Sequence, residues 1–478
     1  MKRTSGVLMH ISSLWNDFSS GALGKECFEF IDFLKDAGFT YWQVLPFCLP
    51  DDCNSPYKSY SAFSFNPYFI DLNSLKNEGL LTSDELDFHR QESPYLCEFD
   101  RLKEERLKLL EKACSRFTQT YKINSFLSSH KEISDFCTFM ALKASNNNLP
   151  WNEWKNNEPD IKTLKLWQFL EFTFFEQWKK VKQYANENGI SIIGDIPIYV
   201  SYDSSDVWAN PKQFQLDEKN LPVSVAGVPP DYFSEDGQLW GNPLYDWDKM
   251  KTDGYLWWQH RMKFMTELFD GIRIDHFRSL ESYYSIPANE ETARNGEWIK
   301  GPGIDFINIL KEVCTDKLII AEDLGIITAD VEKLVSDSGF PGMRVLQFGF
   351  FGYNSNSPHL PHNYKNNCIA YTGTHDNNTL LGFVWELSES DRNHLLSYIG
   401  HNSDNWDNCY DKILQTMFSS HAGTLILPIQ DLLLYGSDTR FNTPGKSFGN
   451  WSFRITKEQL TTIDINKFRN WNELYGRI

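Results

Sequence analysis

The sequence predicts an α/β fold: a (β/α)₈ TIM barrel with a helical subdomain inserted between its second and third strands and with long βα loops. Two observations lead to this prediction. Eight short apolar runs, rich in β-branched residues, recur along the chain, and helical patterns or long loops separate most of them. Continuously apolar runs are typical of parallel strands buried on both faces, and eight of them with intervening helices favour one closed barrel.

These patterns place the elements along the chain. Strands are expected at Gly6–Ile11, Tyr41–Leu45, Ile190–Ile198, Gly271–His276, Lys317–Asp323, Met343–Phe348, Cys368–Thr374 and Thr424–Ile429. Helical periodicity is found at Cys27–Ala37, Leu166–Ala185, Leu256–Phe269 and Asp330–Ser336.

The interval between the second and third strands is too long for a simple crossover. It contains a charged stretch, Ser83–Lys122, whose leucines recur at helical spacing beside alternating charges. We therefore expect a mostly helical insertion at 76–163 within a single catalytic barrel that spans 1–478. Long loops at Tyr199–Tyr255 and Arg278–Gly303 follow the third and fourth strands. Such βα loops are the segments from which barrel active sites are built.

Composition excludes several classes of partner. The chain of 478 residues has 46 basic and 64 acidic side chains, a net charge of −18, which argues against nucleic acid and anionic membranes. No apolar run is long enough to span a membrane, and no secretory signal is recognisable. Nine scattered cysteines without CxxC or zinc spacing indicate a reduced, cytoplasmic protein. No motif for a metal or another cofactor is present, so we expect neither.

Acidic residues stand at the ends of several predicted strands. They are Asp195 in SIIGDIP, Asp275 in GIRIDHF, Glu322 and Asp323 in KLIIAEDLG, and Asp376 in AYTGTHDN. An ionised carboxylate is costly to bury unless it has partners or a chemical task. Because the carboxyl ends of barrel strands converge on one mouth, these residues are expected to share a site.

Converging carboxylates suit the cleavage of glycosidic bonds. One carboxyl group must donate a proton to the leaving oxygen, while an ionised one attacks the anomeric carbon or directs water to it. Arg273 lies two residues before Asp275, on the same face of the strand, where it could keep that carboxylate ionised. His276 and His375 each adjoin an acidic residue and could bind sugar hydroxyls, although a structural role is equally open.

Longer segments carry a specific resemblance. They are WQVLPF, NSPYKSYSAFSFNPYFIDL, GDIPIYV, AGVPPDYFSEDGQLWGNPLYDW, GIRIDHFRSLESYYSIP, GEWIKGPG, IIAEDLG, GFPGMRVLQF, YTGTHDN and LPIQDLL followed by NTPG. Through them the chain resembles glycoside hydrolase family 77 of the α-amylase clan, the 4-alpha-glucanotransferases also called amylomaltases or disproportionating enzymes. The resemblance runs nearly end to end and is weakest between about Lys76 and Thr163.

The resemblance implies roles for individual residues. Asp275 is the expected nucleophile, Glu322 the general acid/base, and Asp376 the carboxylate that grips the sugar beside the broken bond. The implied substrate-binding residues are Tyr57, Asp195, Trp240, Asn242, Arg273, His276, His375 and Asn442. The sequence departs from the usual family pattern at Ser279, Phe351, Tyr435 and Phe441, which concerns acceptor contacts rather than the three carboxylates.

The resulting hypothesis is transfer of an α-1,4-glucan segment to the 4-hydroxyl of glucose or a maltooligosaccharide, with retention of configuration, as part of glycogen, starch or maltose metabolism. Retention requires the two carboxyl groups to lie about 5–5.5 Å apart. Three alternatives stay open: an α-amylase-type hydrolase of the same bonds, a non-catalytic glucan-binding scaffold, and a metal-dependent barrel hydrolase. The segment Ala226–Phe233 favours transfer if its two prolines and Tyr232 and Phe233 form a stiff lid that excludes water, but it could equally be an ordinary turn.

Overall fold

A closed barrel of eight parallel strands forms the centre of the molecule in a computed structural model. The structure describes residues 2–50, 53–230, 235–401, 408–446 and 448–478. In these residues the strands are β1 (Thr4–Leu8), β2 (Tyr41–Gln43), β3 (Ser191–Ile196), β4 (Ser224–Val228), β5 (Gln238–Pro243), β6 (Gly271–Ile274), β7 (Ser282–Pro287), β8 (Glu297–Lys300), β9 (Leu318–Ala321), β10 (Gly342–Val345), β11 (Cys368–Tyr371) and β12 (Thr424–Pro428). Around the barrel the order is β1, β12, β11, β10, β9, β6, β3 and β2.

Helices surround the barrel and fill the connections. The α-helices are α1 (Lys25–Asp36), α2 (Leu72–Asn77), α3 (Ser83–Asp87), α4 (Phe99–Arg101), α5 (Leu107–Arg116), α6 (Thr120–Ser129), α7 (Lys131–Ser145), α8 (Ile161–Glu187), α9 (Ser205–Ala209), α10 (Trp247–Thr252), α11 (Leu256–Leu268), α12 (Gly303–Val313), α13 (Ala329–Ser338), α14 (Leu380–Glu386), α15 (Glu389–Tyr398), α16 (Cys409–Ser419), α17 (Ile429–Leu432), α18 (Lys457–Leu460) and α19 (Ile465–Leu474). Short 3₁₀ helices lie at Ile11–Ser13, Pro67–Phe69, Trp151–Glu153, Pro211–Gln213, Phe277–Leu280, Leu346–Phe350, Pro361–Asn363 and Ser437–Thr439, and a π-helical turn at Leu102–Arg106.

The predicted (β/α)₈ barrel is confirmed. Each of the eight predicted runs contains or overlaps one barrel strand, and the strands β6, β11 and β12 are buried along their whole length. Burial on both faces is the reason that these runs are continuously apolar rather than alternating. Asp195 of β3 lies opposite Arg273 of β6, which in turn lies opposite Ile320 of β9.

The long loops after β3 and β6 contain a second sheet that the sequence did not predict. Strands β5, β4, β7 and β8 form an antiparallel sheet in that order, and β4 pairs with β7 from the other loop. A small apolar cluster of Val225, Tyr284, Ile286 and Ala293 packs on it. Each loop supplies partners for the backbone groups of the other, which their separate sequences do not reveal.

Helices α2–α8 occupy the connection between β2 and β3. The 27-residue helix α8 returns the chain to the barrel, and α7 packs along it. Buried side chains of α5 and α7, including Leu110 and Phe136, belong to the same hydrophobic core as the barrel strands. Among the described residues, no helix has both the length and the apolar character needed to cross a membrane.

The barrel closes between its first and last strands. β1 pairs with β12 in parallel, with Gly6 opposite Ile426. The fully buried Arg477 reinforces the junction by donating to the carbonyl of Thr4 at 2.9 Å and to that of Phe418 at 2.8 Å.

Candidate active site

The barrel ladder sets the position of two strand-end carboxylates. Asp275 directly follows β6, and its backbone N–H donates to the carbonyl of Ile196 in β3 at 3.0 Å. Glu322 directly follows β9, and its N–H donates to the carbonyl of Ile274 in β6 at 3.2 Å. Both residues therefore extend the hydrogen-bonding pattern of their strands by one step, and their side chains start from neighbouring points on the rim.

Arg273 joins two of the predicted acidic residues. Its Nη1 donates to both carboxylate oxygens of Asp195, at 2.7 and 2.8 Å, and its Nη2 lies 2.9 Å from Oδ1 of Asp275. Burial acts against the charge of the guanidinium, but Asp195 and Asp275 outweigh it and raise the pKa of Arg273. The guanidinium is thus available to pair with the Asp275 carboxylate and to orient it.

Glu322 has a different environment. Only 8% exposed, it accepts hydrogen bonds from the backbone N–H of His276 at 2.7 Å and of Leu324 at 2.9 Å. Burial raises its pKa to about 7; Arg273 opposes this rise and the charge of Asp275 adds to it. Near neutral pH this carboxyl group can both give up and accept a proton, which general acid/base chemistry requires.

Asp376 is held ionised by its neighbours. Its Oδ2 lies 3.2 Å from Nε2 of His375, and its Oδ1 accepts from Nδ2 of Asn442 at 2.6 Å. Burial alone would raise the pKa of Asp376, but His375 and Asn442 lower it well below its usual range. Conversely, burial lowers the pKa of His375, and Asp376 more than compensates, so that the net shift is upward.

Tyr57 connects Asp195 to the pair formed by His375 and Asp376. Its hydroxyl donates to Oδ2 of Asp195 at 2.8 Å, and its ring stacks on His375 with 4.9 Å between the ring centroids. Trp451 leans against both rings, at 5.8 Å from Tyr57 and 5.9 Å from His375. These rings and hydrogen bonds make one connected wall.

His276 turns the chain immediately after the expected nucleophile. It adopts a left-handed conformation with φ of 52°, which directs its N–H to Glu322. Burial lowers the pKa of its imidazole to about 4, and its Nε2 is buried without a hydrogen-bond partner among the described residues. The ring packs edge-on against Trp240 at 4.9 Å. A neutral imidazole with an unsatisfied nitrogen is suited to binding a sugar hydroxyl.

An open cleft of about 390 Å³ brings most of the predicted residues together. The predicted residues that line it are Tyr57, Trp240, Asn242, Asp275, His276, His375, Asp376 and Asn442. Arg273 and Glu322 do not line the cleft and instead contact residues that do, whereas Asp195 lines a small neighbouring cavity of about 30 Å³. Asn242 is fixed by a bond from its Nδ2 to the carbonyl of Val200 at 2.9 Å.

One strand-end acid has a structural task. Asp323 accepts from the backbone N–H of Met343 at 2.6 Å and from Nη1 of Arg344 at 2.9 Å, so it joins β9 to β10 away from the cleft. A Cβ at Gly342 would come within 2.5 Å of this carboxylate, which explains why glycine stands there.

The sequence did not single out several residues that line the cleft. They include Ser55, Lys58, Tyr199, Lys446, Asn450 and Trp451. The aromatic residues, 15% of the sequence with 16 tryptophans, were the available signal for Trp451, but this content does not distinguish a cleft residue from a core residue. Of the expected lid, Ala226 lies in β4, whereas Tyr232 and Phe233 lie outside the described residues.

The residues that depart from the family pattern make hydrogen bonds or aromatic contacts within the fold. Ser279 is buried and its hydroxyl donates to the carbonyl of His276 at 3.0 Å. Tyr435 and Phe441 both pack edge-on against Phe453, while Phe351 is exposed and contacts Phe383. In the described part of the chain, no three His, Cys, Asp or Glu side chains are grouped so as to hold a metal ion.

Comparisons with known proteins agree with this geometry. The family model of glycoside hydrolase family 77, described as 4-alpha-glucanotransferase, matches residues 9–461. A 4-alpha-glucanotransferase of Clostridium butyricum is 42% identical, over 98% of this chain and 100% of the relative, and one of Thermus thermophilus is 38% identical, over 100% of both chains. The solved amylomaltase of Streptococcus agalactiae in complex with acarbose matches with a TM-score of 0.95 and 37% identity, over 100% of both chains.

Proposed function

Because this chain belongs to glycoside hydrolase family 77, the 4-alpha-glucanotransferases, we propose that its cleft transfers α-1,4-glucan segments by a retaining double displacement. The observation that carries the mechanism is the unequal environment of two carboxyl groups on adjacent strands. Asp275 faces a permanent cation at 2.9 Å, whereas burial raises the pKa of Glu322 to about 7. These surroundings favour Asp275, paired with Arg273, as the nucleophile and Glu322 as the acid.

In the first step Asp275 attacks the anomeric carbon of the donor glucan. As the carbon–oxygen bond to the next glucose breaks, Glu322 gives its proton to the departing 4-oxygen, and a glucosyl ester of Asp275 remains. The shortened glucan then leaves the cleft. Arg273 stabilises the attacking carboxylate, and Asp376, held ionised by His375 and Asn442, binds hydroxyls of the sugar beside the broken bond.

In the second step Glu322 acts as a base. It removes the proton from the 4-hydroxyl of an acceptor, whose oxygen attacks the same anomeric carbon while the ester bond to Asp275 breaks. Two inversions give net retention. Glucose and maltooligosaccharides are the acceptors we propose, since each offers an equatorial 4-hydroxyl. The hydrolase alternative is not favoured by the family and its relatives.

The sugar-binding roles extend this proposal. Tyr57, Trp240 and His276 offer ring faces or a free imidazole nitrogen to the cleft, and Asn242 offers an amide. Asp195 contributes to sugar binding indirectly, because it accepts hydrogen bonds from Arg273 and Tyr57 and so positions them.

We further propose that 76–163 is a helical insertion in one catalytic unit, and that the protein works in the cytoplasm. The core shared between α5, α7 and the barrel supports the first proposal. The second is supported by the nine cysteines, all within the described residues, none of which forms a disulfide.

Incubation with maltotriose alone tests the function. A transferase converts maltotriose into glucose together with maltopentaose and longer oligosaccharides, without a net gain of reducing ends. Chromatography of the products and a reducing-end assay measure both. Products that are only glucose and maltose, with rising reducing ends, would contradict transfer.

A further inference from the structure

Lys143 of α7 is a buried cation in the helices between β2 and β3. The residue is 6% exposed, although lysine is rarely buried to this degree without a specific partner. Its Nζ lies 2.5 Å from Oδ2 of Asp203 and 3.3 Å from the carbonyl of Leu149. It also lies 5.1 Å from the centre of the Tyr60 ring. This one ammonium group therefore contacts three separate segments of the chain.

The first contact reaches the loop after β3. Asp203 receives a second hydrogen bond, from the backbone N–H of Trp151 to Oδ1 at 3.2 Å, and the indole of Trp151 donates to the carbonyl of Tyr202 at 2.9 Å. The same loop carries Tyr199, which lines the cleft, and Val200, whose carbonyl holds Asn242. Lys143 thus anchors the outer end of a loop whose inner end forms the cleft wall.

The second contact reaches the loop after β2. Tyr60, under the ammonium group, follows Tyr57 by three residues. The carbonyl of Tyr60 accepts from the N–H of Ser205 at 2.9 Å, so this loop is also bonded to the start of α9, just beyond Asp203. Through Tyr60 and Asp203, Lys143 holds the two loops against each other.

The catalytic carboxylates do not depend on this arrangement. Asp275 and Glu322 are held by the ladder of β3, β6 and β9, by Arg273 and by the N–H groups of His276 and Leu324. We propose that Lys143 is a positioning residue for glucan binding: it couples the helices of the insertion to the two loops that present Tyr57, Tyr199 and Asn242. This inference rests on the proposed function, because it concerns the affinity of the same cleft for its glucan.

Kinetics of maltotriose disproportionation test the proposal. Lys143→Met keeps the length of the side chain and removes the charge, so we expect KM to rise about fivefold or more while kcat stays within about twofold, the pattern of lost ground-state binding. Lys143→Arg restores a cation for Asp203 and Tyr60 and is expected to bring KM back within about twofold. Lys131→Met is the matched control, because Lys131 lies on the same helix, is 84% exposed and pairs only weakly with Asp135 at 3.8 Å.

Asp203→Asn keeps the acceptor for Trp151 and removes the charge from the other end of the pair. It should raise KM about fivefold or more, as expected of Lys143→Met, and it tests the proposal if Lys143→Met does not fold. If Lys143→Met or Asp203→Asn lowers Tm but leaves KM and kcat unchanged, or lowers kcat alone, the proposal is overturned. It is also overturned if Lys143→Arg does not restore KM, or if neither Lys143→Met nor Asp203→Asn folds. Failure of the wild-type protein to disproportionate maltotriose would instead contradict the proposed function.

Discussion

The proposed catalytic carboxylates and the proposed sugar-binding side chains are held in place by two kinds of support. Asp275 and Glu322 each directly follow a barrel strand, and their backbone N–H groups donate to carbonyls of the neighbouring strands. Asn242 lies in β5 of the second sheet and Asn442 lies in the chain after β12, and each side chain donates one hydrogen bond, to Val200 and to Asp376 respectively. The backbone of the proposed reacting groups is therefore fixed by the barrel, whereas the proposed binding residues depend on contacts outside it.

This difference in support predicts that the catalytic step and the affinity for glucan respond to changes in different parts of the molecule. The barrel fixes the backbone of Asp275 and of Glu322, so the points from which the two side chains start are protected from changes in the outer loops. The loops can change their residues at a cost to affinity alone. Substitutions in the two regions should accordingly affect different kinetic constants.

The largest expected effect comes from the ladder region. Asp275→Asn keeps the shape of the side chain and removes the nucleophile, so kcat is expected to fall by on the order of 10⁴-fold or more, as for other covalent catalysts. Calorimetric titration with maltoheptaose should still detect binding, because the rest of the cleft is intact.

Asp337→Asn is the control for this substitution, because Asp337 forms an exposed ion pair with Lys333 within one helix. Turnover by Asp275→Asn within tenfold of wild type would remove Asp275 as the nucleophile.

The second effect is a pH dependence that originates in the same region. In the proposed mechanism Glu322 must carry its proton to release the leaving group, and burial raises its pKa to about 7. Above that pH the protonated fraction falls tenfold per unit, so kcat/KM should decline on the alkaline side with an apparent pKa of about 7. A donor whose leaving group needs no proton, such as a nitrophenyl maltoside, should lose this decline in its first step. An unchanged kcat/KM for maltotriose from pH 6 to 9 would contradict the assignment.

The smallest expected effect lies in the loop region. Asn442→Ala removes the 2.6 Å bond to Asp376, and a hydrogen bond to a charged group contributes about 1.5–3 kcal/mol. We expect kcat/KM to fall about tenfold or more, mainly through KM, in maltotriose kinetics. Asn295→Ala removes a similar bond to a carboxylate, Glu290, at an exposed site, and should change nothing. Equal effects of the two variants would exclude a role for Asn442.

The barrel was predictable because its physics is local. Residues buried on both faces of a strand must be apolar, so β6 and β9 are visible as short runs without any knowledge of their neighbours. The sheet of β4, β5, β7 and β8 was not predictable in the same way. Its strand β5 is largely exposed, and β4 finds its partner β7 across the whole of α10, α11 and β6.

The candidate site, too, could be predicted only in part, because some of its features depend on contacts between residues distant in the sequence. Acidic residues at strand ends pointed to Asp275 and Glu322, but the same pattern also included Asp323, whose bonds to Met343 and Arg344 only the folded structure reveals. The unequal environments of the carboxyl groups depend on burial, and the sequence contains no measure of it. Trp451 lines the cleft and has a left-handed backbone with φ of 66°, and the sequence indicates neither.

The pairing of β1 with β12 has a consequence for synthesis on the ribosome. β1 is made first among the strands, yet one of its edges gains its partner only when Thr424–Pro428 have been made. At 5–20 residues per second the intervening chain takes roughly 20–80 s to make, during which that edge can pair with other chains. The nascent protein is therefore expected to need shielding by chaperones until β12 emerges and occupies the open edge.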